Sequence, residues 1–256
     1  MQNKQGEWHW QWNNVYDDNK WLFSEWIYPN KIEEFKEKTV LDCGCGGGQH
    51  LNFVAPYCKR IIGIDLNTPD IARKNTQYNK NVDVIQGDIA KINCEEKFDI
   101  VYSIGVLHHT NNPTTSFNNI KRFAKKGGKV IVWVYSHEGN FFTRTVLEPL
   151  KKEFLLRMKR DKLWLLSNII TFLTYVPVYT LYSLSLGSLP LYHYFQNWKR
   201  LSFKRNNLNV FDKLNAPQTF FIKKETIKEW FNPDDFSDIH ISLYNGVSWR
   251  ASGKVK

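Results

Sequence analysis

Thr39-Val40-Leu41-Asp42-Cys43-Gly44-Cys45-Gly46-Gly47-Gly48 is the stretch on which the fold turns. A short apolar run ends in an acid and passes into glycines at every second position. Strand into glycine loop into helix is the order that opens a nucleotide-binding α/β unit. Each glycine lets the backbone turn or approach a ligand where a Cβ would clash, and the loop presents amides at a helix N-terminus. A dinucleotide fingerprint needs its third glycine three positions after the second. Gln49 stands there, which disfavours NAD.

Working outward, Arg60-Ile61-Ile62-Gly63-Ile64-Asp65 follows after one helix length and ends in a carboxylate, completing a βαβ unit. Residues 70–79 read as a helix, Val82 to Gln86 as a third strand, and Phe98 to Ser103 as a fourth. Ser116 to Ala124 reads as a helix stopped by Gly127-Gly128, ahead of a fifth strand from Lys129 to Tyr135. After a break, Lys224 to Phe231 reads as a helix, Phe236 to Leu243 as a strand, and the tail from Val247 as its antiparallel partner. The expected fold is α/β: a Rossmann-like doubly wound sheet of about seven strands, mostly parallel with an antiparallel C-terminal strand. The chain divides into an aromatic cap (1–38), a core (39–140), a helical insertion after the fifth strand (141–210) and a completion of the sheet (211–256).

The 256 residues, 42% hydrophobic and with ten Trp, exclude disordered and collagen-like readings. Net charge is +10, and its distribution says more than its total: residues 141–210 carry 11 basic and 3 acidic groups, whereas residues 41–140 carry 12 and 9. Four cysteines fit neither a disulfide framework nor a paired zinc site, so reduced thiols, no metal site and a cytoplasmic location are expected, and MQNKQGEWHWQW has no signal-peptide pattern.

Three acids, Asp42, Asp65 and Asp88, end three successive strands at one sheet edge. A carboxylate at Asp65 is placed to accept both ribose hydroxyls of an adenosine ligand, and Asp88 an exocyclic amine. With the glycine loop, this set resembles the class I S-adenosylmethionine-dependent methyltransferases. Phe98-Asp99-Ile100-Val101, Gly105-Val106-Leu107-His108-His109-Thr110, Gly127-Gly128 and Val130-Ile131-Val132 look like their ubiquinone/menaquinone-methyltransferase-like (type 11) branch. The resemblance implies S-adenosylmethionine as cofactor, held by Asp42, Gly44, Gly46, Gly48, Asp65, Leu66, Asp88, Ile89 and Ser103. In that branch the stretch after the fourth strand touches cofactor and acceptor, so His109, then His108, is the candidate base or acceptor-orienting group. Tyr135, Asn140 and Arg250 are candidate acceptor contacts. Trp8, Trp10, Trp12 and Tyr16 either fold over the cofactor or cover the sheet edge.

From Leu163 to Trp198 there are 36 residues without Asp, Glu, Lys or Arg, bracketed by ten basic residues between Lys151 and Arg205. Polar residues and Pro177 interrupt the best window, which disfavours a membrane span. A helical lid and a surface against anionic lipid remain, and both suit a small, apolar or lipid-linked acceptor with peripheral contact at the inner membrane face. A nucleic-acid (RNA) methyltransferase is the rival; no Asn/Asp-Pro-Pro-aromatic motif follows the fourth strand, so nucleic acid is not the expected partner. A non-catalytic module that keeps the cofactor fold is a third reading.

Overall fold

The computed structural model describes residues 6–16, 18–184 and 187–256. Residues 1–5 of the aromatic cap and 185–186 of the uncharged run lie outside the described residues. Two helices, α1 (Gly6–Asn14) and α2 (Lys20–Ile27), precede β1 (Thr39–Cys43), α3 (Gln49–Val54), β2 (Arg60–Asp65), α4 (Pro69–Thr76), β3 (Val82–Gln86) and β4 (Phe98–Ile104). A 3-10 turn, Leu107–His109, then leads to α5 (Pro113–Ile120) and β5 (Ala124–Tyr135). The insertion holds α6 (Glu148–Glu153), α7 (Arg160–Tyr179), α8 (Tyr192–Lys199) and α9 (Phe203–Asn215), and α10 (Lys224–Trp230), β6 (Phe236–Tyr244) and β7 (Ser248–Val255) close the chain.

The seven strands form one sheet in the order β3-β2-β1-β4-β5-β7-β6, parallel from β3 to β5, with β7 antiparallel to both β5 and β6. Strand alternation sends successive apolar residues to opposite faces. Val40, Ile61, Ile100 and Ile131 pack with Phe23, Ile27, Leu51 and Val54 on the face covered by α2 and α3. Leu41, Ile62, Val101 and Val132 pack with Phe117, Ile227, Trp230 and Phe236 on the face covered by α5 and α10. Both faces are thus dry, which explains why β1, β2 and β4 are near-continuously buried. Strand order reverses between β2-β1 and β4-β5, and the crevice for a ligand opens there, beyond the strands' C-terminal ends.

Gly127-Gly128 does not stop a helix. Helix α5 ends at Ile120, and the glycines lie inside β5, where the pairing with β4 shifts register between Phe98 and Ile100. A Cβ on Gly128 would stand 2.8 Å from the Lys125 carbonyl oxygen, so the bulge needs glycine.

In the insertion, Leu163 of α7 packs on Phe211 and Leu214 of α9, and Trp10 of α1 joins them with its ring 5.2 Å from Phe211. Helix α7 leaves Leu165, Phe172, Leu173 and Val176 exposed. Among the described residues, no helix is long and apolar enough to cross a membrane.

Candidate active site

The glycine loop is tied to the neighbouring strand: Gly44 and Cys45 both donate their backbone N–H to the Ile64 carbonyl, at 2.8 and 3.0 Å. Gly44 has φ +100°, and a Cβ there would stand 2.4 Å from the Val106 side chain. Gly46 has φ +54°, and a Cβ would meet the Trp12 indole at 3.1 Å. The tight packing that requires glycine is therefore with this chain's own β4 turn and α1.

Asp65 is the anchor of the loop. Its Oδ1 accepts the N–H groups of Asn67 and Thr68 at 2.8 and 2.9 Å, its Oδ2 accepts Gly46 N–H at 3.0 Å, and the single proton of the Thr68 hydroxyl lies between the Gly46 carbonyl at 2.8 Å and Oδ1 at 3.0 Å. Burial raises its pKa, opposed by those donors. The expectation that this carboxylate takes both ribose hydroxyls is corrected by the geometry: Oδ1 is saturated, and only Oδ2 keeps an acceptor position. Asp88, whose Oδ1 accepts Ala90 N–H at 2.9 Å, also lines the crevice, with Leu66 and Ile89 beside it.

Three expected cofactor contacts lie behind the wall instead. Asp42 is buried beneath the loop, accepts the Tyr102 hydroxyl at 3.0 Å on Oδ2, has no partner for Oδ1, and is pushed up to about 8 by burial. Ser103 is buried and donates to the Cys43 carbonyl at 2.7 Å, tying β4 to β1. Gly48 starts α3 in the left-handed region, against Thr76 and Ala72 of α4. Gly44 and Gly46 do line the crevice.

On the acceptor side the two histidines part. His109 faces the crevice with its side chain 7% exposed, whereas His108 is buried against Tyr135, ring centroids 4.3 Å apart, with neither ring nitrogen hydrogen-bonded. Burial holds the His108 pKa well below the ordinary value, so it is a neutral packing residue and no candidate base. Tyr135 lines the crevice, and its hydroxyl donates to Asp212 at 2.9 Å. Asn140 lines the second cavity, under the insertion, with its amide N–H groups donated to the Ser136 and Val247 carbonyls, whereas Arg250 donates to the Glu25 carbonyl at 2.8 Å between the Tyr28 and Tyr244 rings, away from the crevice. Arg250 thus ties β7 to α2, its donors going to the Glu25 carbonyl and the Ser242 hydroxyl. Trp8 and Trp12 lie on the crevice wall, Trp10 packs in the insertion, and Tyr16 is exposed.

Residues that sequence patterns did not mark complete the wall: Gln11 from α1, Trp26 from α2, Trp133 from β5, and Arg205 and Asp212 from α9. Past Trp26, Trp133, Tyr135 and Asn209, which border both spaces, lies a second cavity of about 420 Å³ under the insertion, bounded by Phe142, Ile170, Tyr194, Phe195 and Trp198.

An adenosyl sulfonium cofactor needs acceptors for hydroxyl and amine protons, apolar walls for a flat base and π-faces for a cation. Asp65 Oδ2, Asp88, Leu66, Ile89 and the indole rings of Trp12 and Trp26 lie around one crevice and supply these kinds of group. Residues 41–132 match the methyltransferase domain family (Methyltransf_11). The chain thus carries a class I S-adenosylmethionine-dependent methyltransferase domain of the type 11 branch.

Among particular proteins, it is similar to the tRNA U34 carboxymethyltransferase of Actinobacillus succinogenes, 30% identical over 138 residues that make up 52% of this chain and 41% of that protein. The chain therefore spans less than half the length of this relative. Two solved structures share its fold: the PH0226 protein from Pyrococcus horikoshii (TM-score 0.58, 15% identity, 96% and 95% of the two chains) and the N-methyltransferase NodS from Bradyrhizobium japonicum with S-adenosyl-L-homocysteine (TM-score 0.53, 11% identity, 99% and 98%). These relatives correct one expectation. A small-molecule or lipid-linked acceptor and anionic membrane contact were inferred from the insertion's composition, and nucleic acid was set aside for want of an Asn/Asp-Pro-Pro-aromatic motif, whereas several relatives are tRNA U34 carboxymethyltransferases. Composition misled because basic residues around aromatic ones suit a polyanion as well as a lipid surface.

Proposed function

We propose that the protein transfers a methyl group from S-adenosylmethionine to a base of an RNA substrate. The observation that carries this reading is that the cofactor crevice and the ring-walled cavity are neighbours, with Trp26, Trp133 and Tyr135 bordering both. A volume of about 420 Å³ is within the range of small-molecule sites, and flat aromatic walls suit a base splayed out of its strand. The excess of basic over acidic groups in residues 141–210, 11 against 3, is suited to the phosphates on either side. The tRNA substrate of the relatives supports the same class.

The bound cofactor supplies an already activated methyl, so the protein's task is placement and exclusion of water. The α1 rings Trp8 and Trp12 and helix α9 roof the crevice, and the second cavity's walls orient a planar acceptor. Positioning of this kind supplies up to about 7–11 kcal/mol. The test is incubation with methyl-tritiated S-adenosylmethionine and cell RNA, lipid and polysaccharide fractions. Label is expected in RNA and lost on nuclease digestion; label confined to another fraction overturns the reading.

A further inference from the structure

Asp212 belongs to no motif, yet it stands at the meeting point of three distant segments. Its Oδ1 accepts the Gln11 side-chain amide of α1 at 3.2 Å, and its Oδ2 accepts the Tyr135 hydroxyl at the end of β5 at 2.9 Å. The same Oδ2 is 3.9 Å from His109 Nε2, and both side chains line the crevice. On the far side of the ring, His109 Nδ1 is 2.8 Å from the Gln218 backbone carbonyl, which can only accept, so Nδ1 carries the proton and Nε2 of the neutral ring carries a lone pair. The Gln218 side chain returns a hydrogen bond to the His109 carbonyl at 2.9 Å, and Trp8 packs against the ring with centroids 4.9 Å apart. The imidazole is therefore locked in tautomer and orientation, with its basic nitrogen toward the crevice and a carboxylate just beyond hydrogen-bond reach.

We propose that His109 Nε2 accepts a proton from the acceptor, that Asp212 is the positioning residue that holds the resulting imidazolium, and that the acceptor is thereby one whose methylated atom bears an N–H or O–H. This deepens the preceding reading and rests on it: within RNA, it selects a ring N–H, exocyclic amine or hydroxyl. In the step, the acceptor's X–H bond breaks and the proton passes to Nε2. The freed pair on X forms the new bond to the methyl carbon, and the pair of the broken carbon–sulfur bond stays on sulfur as a neutral thioether. The positive charge lost there reappears on the imidazolium, 3.9 Å from Asp212, until the proton leaves to solvent. Burial lowers the His109 pKa, which keeps the ring neutral and able to accept; Asp212, the Gln218 carbonyl and Glu148 oppose that shift, and Lys151 adds to it. His108, Lys213, Tyr135 and Arg205 are further titratable or charged groups around the pair.

The decisive variant is Asp212→Asn, which keeps shape and an acceptor for the Tyr135 hydroxyl while removing the charge. In ¹⁵N-histidine NMR of the full chain, the His109 titration is expected to move to lower pH in Asp212→Asn. An unmoved titration, or His109 observed with its proton on Nε2, overturns the proposal. With an RNA acceptor, His109→Ala is expected to lower kcat by about 10²–10⁴-fold with KM little changed, and the rising limb of the kcat–pH profile to move to lower pH in Asp212→Asn. An undiminished kcat in His109→Ala overturns the base; failure to label RNA with wild type overturns the acceptor class alone, since the NMR test needs no acceptor.

Discussion

Deleting one ribose hydroxyl from the cofactor product is the sharpest probe of how this crevice holds its ligand. Asp65 receives three backbone N–H donors from the glycine loop and its own turn, two of them on Oδ1. Two lone pairs per oxygen leave one acceptor position, on Oδ2 beside Gly46 N–H, so one hydroxyl and not two is expected to bond the carboxylate. A hydrogen bond to a charged group is worth about 1.5–3 kcal/mol, or roughly 10–150-fold in affinity. Isothermal titration of wild type with the 2′-deoxy and 3′-deoxy forms of S-adenosyl-L-homocysteine is expected to show a loss of that size for one analogue and less than about threefold for the other. Asp65→Ala is expected to erase the difference between them. Equal large losses for both analogues would mean bidentate capture and refute the saturation argument; no loss for either would remove Asp65 from ribose binding.

Other outcomes follow from single features of the structure. Asp42, with its pKa pushed up to about 8 against an ordinary 3.8, binds a proton in the folded state that the unfolded chain has released, so its contribution to stability falls as pH rises from about 4 to 8. Asp42→Asn keeps an acceptor for Tyr102 without that titration, and thermal unfolding from pH 5 to 8 is expected to show a flatter Tm profile than wild type. Gly44→Ala places a Cβ 2.4 Å from Val106 at φ +100° and is expected to cost about 2–4 kcal/mol in denaturant unfolding, with Val106→Ala restoring the clash share and not the backbone share. Neutralising the exposed Lys152, Lys159, Lys162 and Lys204 is expected to flatten the slope of log K against log salt for single-stranded RNA by about 0.7 for each phosphate that a lysine no longer neutralises, leaving S-adenosyl-L-homocysteine binding unchanged.

Features that are local in the chain are the ones legible in its sequence. The acid and glycines from Asp42 to Gly48 announce β1, its loop and α3 because strand, turn and helix start are settled by neighbouring residues; strand ends alone place Asp65 and Asp88 at the crevice. Residue order does not show that Asp65 is consumed by the amides of its own turn, or that Asp42 turns to Tyr102 behind the loop, since both depend on side-chain direction rather than register. Asp212 is hidden for a different reason: it is 103 positions beyond His109 on an amphipathic helix whose periodicity explains it as an ordinary polar residue. Only the fold brings α9, α1 and β5 together. The exposed apolar residues of α7 and the basic groups beside them suggest lipid from composition, and composition does not distinguish one polyanionic partner from another.

The central claim meets its most direct test in nucleoside analysis of RNA after incubation with trideuteromethyl-S-adenosylmethionine and the full chain. The account predicts one nucleoside that gains a single trideuteromethyl group on a nitrogen or oxygen that carried a proton, formed about 10²–10⁴-fold more slowly in His109→Ala. Transfer to carbon or to a site without a proton, or no labelled nucleoside alongside a labelled lipid or free metabolite, would contradict it.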